Sequence, residues 1–204
     1  MTLALWIAAS YLLGAVPTSM LVARARGVDL RQVGSRNLGA TNLYRALGWR
    51  FAIPVALFDI AKGAVPVLVF GPRAGGGPWI PVLLGLVAVF GHVFSVFVRF
   101  AGGKGVATAA GVVLAVAPWA VLVAVAVWVV TVKLSGYVSL GSILAALALP
   151  PAAWLLHPEH RHLVGLFVAL AVFVVVTHRQ NIRRLFAGTE NRFGRRSPGA
   201  GAQA

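Results

Sequence analysis

Apolar runs long enough to cross a bilayer fill most of this chain, and that length constrains the fold more than any other feature. A helical span needs ~20 apolar residues, because the hydrocarbon core is ~30 Å thick and a helix rises ~1.5 Å per residue. Residues 3–23, 51–71, 78–98, 138–156 and 162–178 are runs of this kind. Another run, 105–132, has 28 residues with Pro118 in its middle. As one straight helix it would reach ~42 Å, more than the core can hold without strong tilt. Proline breaks or kinks a helix interior. The run therefore divides into 105–117 and 118–133. The expected fold is an all-α integral membrane protein with seven transmembrane helices, the two around Pro118 being short.

Charge supports the split. Only 11% of residues are charged, 59% are hydrophobic and mean hydropathy is +0.88. A soluble domain carries ~25% charged residues. A soluble enzyme, a disordered chain and a DNA-binding module are thereby excluded. Eighteen Lys and Arg stand against four Asp and Glu, a net charge of +14. In a soluble protein that excess would suggest nucleic acid, but no nucleic-acid signature is present. In a membrane protein it reads as basic cytoplasmic loops beside anionic lipid, a face that also suits an anionic substrate. With six spans, the basic 24–50 loop and the basic C-terminal segment would face opposite sides. With seven they share one side, which then holds fifteen of the eighteen basic residues. The N-terminus is then outside and the C-terminus cytoplasmic. Trp6, Trp79, Trp119 and Trp154 fall near the outer interface and Trp49 near the inner one, while Trp128 fits neither belt.

The opening MTLALWIAASYLLGAVP lacks a basic leader region and reads as a retained first span. Residues 1–204 are read as one membrane-embedded domain, with 190–204 a flexible basic tail. There is no cysteine, so a disulfide, a thiol nucleophile and a Cys-ligated metal are excluded. Four acids make a carboxylate-bound metal a poor expectation as well, and no cofactor is expected.

Three polar segments fall on the expected cytoplasmic side. GSRNLGATNLYRALG, 34–48, offers Ser35, Asn37, Thr41 and Asn42 as short hydrogen-bonding groups and Arg45 as a forked cation suited to phosphate. Its bland reading is a hydrated loop with a helix cap. FAGGKG, 100–105, sets Gly102 and Gly103 before Lys104 at the start of a helix. Backbone N–H groups there, with one Lys, could cradle phosphate, or the segment could be a plain turn. The spacing is not that of a Walker A loop. His92, just upstream, reads by default as a hydrogen-bonded helix histidine. The third segment is split between Ser135, Ser139 and Ser142 and the stretch THRQNIRRLFAGTE, 177–190. In it His178 and Asn181 lie three apart on one helix face. Glu190 reads as a salt-bridge partner or a solvated tail residue. Asp59 and Lys62 lie three apart inside the second span, where ionisable groups are costly and are paired or functional.

Taken together, these segments resemble the bacterial acyl-phosphate:glycerol-3-phosphate acyltransferases, the PlsY family. The matching pieces are GAVPTSML (14–21), GSRNLGATNLYRALG (34–48), DIAKGAVP (59–66), GHVF and FAGGKGVAT (91–94 and 100–108), SLGSI (139–143) and HRQNIRRLFAGTE (178–190). Ala15, Ser19, Arg36 and Ser95 depart from the family's usual residues; the family usually carries Gly at the position of Arg36 and Pro at that of Ser95. The resemblance implies transfer of an acyl group from acyl phosphate to the 1-hydroxyl of glycerol 3-phosphate, giving lysophosphatidic acid and inorganic phosphate. It implies a cytoplasmic active site in the bacterial inner membrane. It also implies neither acyl-CoA nor acyl carrier protein as donor, and no His of this chain has an Asp five positions downstream, the pattern of other glycerophosphate acyltransferases. The partners expected are the two substrates, membrane lipid and the enzyme that makes acyl phosphate. No nucleic acid is expected, and the protein is read as a monomer.

On that footing Ser35, Arg45 and Lys104, with Gly102 and Gly103, are expected to hold the phosphate of glycerol 3-phosphate. Thr41, Ser142, His178 and Asn181 are expected at the acyl phosphate, and Asn37 and Asn42 shape the first loop. His178 or a substrate phosphate oxygen would take the hydroxyl proton. Three rival classes fit the chain less well. A structural membrane protein that only recruits anionic lipid would not require Ser, Thr, Asn and Gly clustered with Lys and Arg. An organic-phosphate transporter would need polar groups on both faces, and here they gather on one. A CDP-alcohol phosphotransferase would need an aspartate cluster that four acids cannot supply.

Overall fold

In a computed structural model, which describes residues 2–193, every regular element is helical. The chain forms two compact units, residues 2–112 and 113–193.

In the first unit, α1 (Leu3–Ala15) stops at Pro17, and α2 (Thr18–Arg24) resumes the direction of the run. Proline supplies no N–H, so the break leaves backbone carbonyls without helical donors. Within a membrane such groups must be satisfied by protein. Here the Ser95 hydroxyl donates to the Ala15 carbonyl, and Lys62 Nζ donates to the Val16 carbonyl at 2.9 Å. Residues 27–39 and α3 (Ala40–Leu47) then cover a small apolar cluster of Met20, Ala23, Leu30, Leu38, Leu43, Val55 and Val98. The first polar segment is therefore not a hydrated loop. Its leucines are core residues, and replacing Leu43 by Ala should cost ~2–5 kcal/mol.

α4 (Trp49–Val65) runs through a π-helical turn at Pro66–Phe70 into α5 (Gly71–Ala74). α6 (Ile80–Val93) follows, then a 3-10 turn at Val96–Val98. α7 (Val106–Val116) closes the unit against α4: a Cβ on Gly63 would overlap the Thr108 carbonyl, and one on Gly111 the Ile60 carbonyl. Small residues at crossings let membrane helices approach closely, where dispersion replaces the hydrophobic effect as the driving force.

The second unit contains α8 (Pro118–Ser135), α9 (Val138–Leu156), a 3-10 segment at Pro158–Leu163, α10 (Val164–Thr177) and α11 (Arg179–Phe186). α9 packs along both α8 and α10. The expected division at Pro118 is present: Ala117 leaves helical geometry at φ −137° and Pro118 opens α8, where a missing N–H costs nothing. The two halves are unequal, however. α7 has 11 residues and α8 has 18, so α8 is long enough to cross by itself and only α7 is short. Among the described residues, five helical segments are long and apolar enough to cross a membrane, and a sixth if the pair 161–177 and 179–186, bent by 57°, is counted as one. The last span ends at His178, close to the expected end of the run 162–178, and an amphipathic helix begins there.

The first residues of the segment 190–204, read in the sequence as a tail, are engaged in the second unit. Glu190 is buried, and the Phe193 N–H donates to the Gly136 carbonyl at 2.7 Å. Residues 194–204, including Arg195 and Arg196, lie outside the described residues.

Candidate active site

The candidate residues occupy both units. In the first, Asn42 organises the 34–48 segment. Its Oδ1 accepts the Ser35 N–H at 2.9 Å, and its Nδ2 donates to the Leu30 and Val33 carbonyls, each at 3.1 Å. The side chain is fully buried. Three bonds occupy most of a carboxamide's capacity, so Asn42 binds the loop to itself and presents Ser35. These bonds suit the loop-shaping role expected of this residue. Thr41 lies in the first turn of α3 and Arg45 one turn on, at the i,i+4 spacing that puts both on one face. Thr41 is half-buried and Arg45 buried. Asn37 is half-buried against Gly39, whose Cβ, if present, would stand 2.9 Å from Asn37 Nδ2. Arg36 is exposed and has φ 58°, a left-handed backbone that favours glycine.

The second segment is a tight return from α6. Arg99 and Phe100 are left-handed at φ 56° and 61°. The Gly102 N–H then donates to the Val93 carbonyl at 2.9 Å, and the Gly103 N–H to the His92 carbonyl at 3.2 Å. The expected cradle is corrected here. These two N–H groups are spent on the end of α6, and what the loop offers is the half-buried Lys104 just ahead of α7. The glycines are required for packing, since a Cβ on Gly102 would overlap the His92 carbonyl and one on Gly103 the His92 ring at Nε2.

Beneath this loop lies a buried ionic group that the sequence showed only in part. Asp59 and Lys62 pair at 2.9 Å, and His92 Nδ1 stands 3.9 Å from the same Asp59 oxygen. A small cleft is lined by residues including Pro17, Leu38, Asp59, His92, Ser95 and Gly103.

In the second unit, His178 is buried at the bend between α10 and α11. Its Nδ1 lies 2.8 Å from the Val174 carbonyl. A carbonyl can only accept, so Nδ1 carries the hydrogen, and in the neutral ring Nε2 is the acceptor. Ser142 is buried at the start of α9 and donates back to the Val138 carbonyl at 2.9 Å. Asn181 Nδ2 donates to Glu190 Oε1 at 2.6 Å, and the Ser139 hydroxyl donates to the same oxygen at 2.9 Å. Arg184 Nε donates to Glu190 Oε2 at 2.7 Å. Burial alone would raise the Glu190 pKa. The bonds from Asn181, Arg184 and Ser139, with the Arg184 charge, outweigh it and hold the carboxyl below the usual carboxylate range. Glu190 is thus the post that fixes Asn181 and the start of α9. Its signal in the sequence is that it is the one acid in a segment carrying Arg179, Arg183, Arg184 and Arg192.

The first unit offers the buried Arg45 and the half-buried Lys104 beside short hydroxyl and amide groups, and the second offers a histidine of defined tautomer with Ser142 and Asn181. A family profile described as glycerol-3-phosphate acyltransferase matches residues 4–188. A glycerol-3-phosphate acyltransferase of Geobacter sulfurreducens is 50% identical over 187 residues, covering 91% of this chain and 95% of that protein. One from Thermus thermophilus is 44% identical over 198 residues, covering 96% and 98%. Among solved structures, the glycerol 3-phosphate form of PlsY, an integral membrane glycerol 3-phosphate acyltransferase, superposes with a TM-score of 0.87 at 38% identity, covering 94% of this chain and 96% of that one. The lysophosphatidic acid form of PlsY superposes with a TM-score of 0.85 at 36% identity, covering 94% and 95%. A match of this extent, running through every polar segment described above, places the chain in the glycerol-3-phosphate acyltransferase family.

Proposed function

We propose that this protein transfers a fatty acyl group from acyl phosphate to the 1-hydroxyl of sn-glycerol 3-phosphate. The hydroxyl oxygen attacks the acyl carbonyl, the bond from that carbon to the phosphate oxygen breaks, and lysophosphatidic acid and inorganic phosphate leave. The family match over residues 4–188 carries the acceptor and the reaction class. The donor rests on the chemistry of the chain. Acyl phosphate is already an activated mixed anhydride, so no covalent enzyme intermediate is needed, in keeping with a chain that has no cysteine.

In this reading Ser35, Arg45 and Lys104 hold the phosphate of the acceptor, and Thr41, Ser142, His178 and Asn181 face the acyl phosphate. Asn37 and Asn42 set the loop, and Gly102 and Gly103 set Lys104. The rate comes from orienting two phosphates and stabilising the charge that develops on the departing one. The bond from His178 Nδ1 to Val174 supports Nε2 as the proton acceptor. A phosphate oxygen of the substrate is the competing acceptor. The topology belonging to this reading has seven crossings, α7 included, with the N-terminus outside and the polar segments at the cytoplasmic face of the inner membrane. Because the chain has no cysteine, single-cysteine labelling from either side tests this without background.

The deciding assay uses purified protein in lipid with palmitoyl phosphate and radiolabelled glycerol 3-phosphate, beside a reaction with palmitoyl-CoA. Lysophosphatidic acid from the acyl phosphate alone is the expected result. Product only from the CoA ester would overturn the donor, and no product from a folded sample would return an organic-phosphate transporter to consideration. A fully active His178→Ala protein would assign the proton to the substrate phosphate.

A further inference from the structure

We propose that His92 is a positioning residue for Lys104, acting through the backbone of Gly102 and Gly103 from a fixed base on Asp59 and Lys62; this rests on Lys104 holding the acceptor phosphate. The two nitrogens of His92 face different neighbours. Nδ1 stands 3.9 Å from Asp59 Oδ1. Nε2 lies against Gly103, at the spot where a side chain on that residue would begin. The backbone of the same residue is engaged as well, since the His92 carbonyl accepts the Gly103 N–H. Gly103 is held from a second side by the Leu38 carbonyl, 2.9 Å from where its Cβ would stand, and Leu38 follows Asn37 in the first loop. His92 therefore lies where the Gly-Gly-Lys loop and the 34–48 segment meet.

The base beneath it is rigid. Asp59 and Lys62 are both almost fully buried and pair at 2.9 Å, and Lys62 Nζ also reaches the Val16 carbonyl exposed by the break at Pro17. That ties α4 to the first span at the level of the loop. A ring held between this base and Gly103 fixes the Cα one residue before Lys104. At 3.9 Å the ring and the Asp59 carboxyl are near neighbours without a hydrogen bond, so what the ring supplies is the filled space. A shorter side chain would leave a gap under Gly103.

The test uses full-length protein in lipid nanodiscs, with separate kinetics for each substrate. Asparagine places its amide near the position of Nδ1 but does not reach Gly103, whereas glutamine reaches toward the position of Nε2. His92→Asn is expected to raise KM for glycerol 3-phosphate about tenfold while changing KM for palmitoyl phosphate less than about twofold, since small displacements of a binding group carry costs of this order. His92→Gln is expected to recover most of the loss. In a Lys104→Ala background, His92→Asn is expected to add less than about a twofold change, the non-additivity of residues acting through one another. The same tenfold loss with Lys104 absent would overturn the proposal, as would equal loss on both substrates. An unchanged KM in Lys104→Ala alone would overturn the phosphate role of Lys104, and a His92→Asn shift beside it would overturn the route through Lys104. If His92→Asn does not fold, His92→Ser, which also leaves the space under Gly103 empty, carries the same comparison.

Discussion

Replacing Glu190 by alanine removes one acceptor from three side chains that the second unit otherwise leaves in very different positions. Asn181 loses its bond while buried at about 3% exposure, so its amide becomes an unsatisfied donor. Such a group costs ~1–3 kcal/mol. Ser139 is buried too, but its hydroxyl can turn back to a carbonyl one helical turn earlier, as Ser142 does with Val138, and its loss is ~0–1 kcal/mol. Arg184 has a 30% exposed side chain, so water can take its donors, and its pair is worth at most ~1 kcal/mol. The sum is about 3 kcal/mol. Glu190→Gln keeps an oxygen for Asn181 and Ser139 and loses only the charge towards Arg184, about 1 kcal/mol. For a chain of this size each kcal/mol shifts Tm by ~2–4 °C. Thermal unfolding in detergent should therefore show a loss of ~6–12 °C for Glu190→Ala and ~2–4 °C for Glu190→Gln. Equal losses for the two variants would refute the reasoning, because they would mean that charge, and not the acceptor for Asn181, holds the unit together.

Four further outcomes follow from the same geometry. The Glu190 pKa is lowered by folding, so its contribution is fully present above the ordinary carboxylate value of 4.5 and is lost as pH falls below that; the wild type should lose Tm on acidification into that range, and Glu190→Gln should lose less. Arg36→Gly removes a left-handed arginine, a strain of ~1–2 kcal/mol, against ~0.5–1 kcal/mol of added chain entropy; Tm should rise slightly, and a fall would show that the Arg36 side chain makes a stabilising contact. Lys62→Met strands Asp59 in the membrane interior at a cost of ~3–5 kcal/mol, whereas Asp59→Asn with Lys62→Met should recover much of it; yields of folded protein by size-exclusion chromatography rank the three. Asn42→Ala leaves the Ser35 N–H and two carbonyls without their partner, so KM for glycerol 3-phosphate should rise together with a loss of ~2–3 kcal/mol in stability; Asn42→Asp, which keeps the acceptor and loses both donors, should be no better.

The sequence made the spans legible because length and hydropathy are local properties. Pro118 could be read as a break for the same reason, since the missing N–H acts on its own helix whatever packs around it. What the sequence could not show was where each polar group's hydrogen bonds end. Gly102 and Gly103 look like a phosphate cradle until their N–H groups are traced to Val93 and His92. Asn42 looks like a ligand group until its three bonds are found inside its own loop. Glu190 reads in the sequence as a salt-bridge partner or a solvated tail residue, and its pair with Arg184 decides for the first. Its burial depends on Ser139, fifty-one residues earlier in the chain.

The breaks in the helices engage further polar side chains. A membrane helix interrupted by proline or by a bend releases carbonyls that water cannot reach, and each must be met by a side chain from elsewhere. At Pro17 the donors are Ser95 and Lys62, so a hydroxyl and an ammonium that look functional are spent on the first span. At the bend after Thr177 the Val174 carbonyl already accepts the His178 N–H at 3.1 Å and the Thr177 hydroxyl at 2.9 Å, and the His178 ring joins them through Nδ1. There the carbonyl fixes the tautomer of the ring and turns Nε2 into an acceptor. The break at Pro17 consumes a polar side chain and the bend at His178 orients one. Their neighbours therefore respond differently to mutation. Ser95→Ala should cost stability, through the orphaned Ala15 carbonyl, with KM values unchanged. A His178→Gln variant that folds normally but has lost turnover would show that the ring's orientation, beyond its fit, is what the bend supplies.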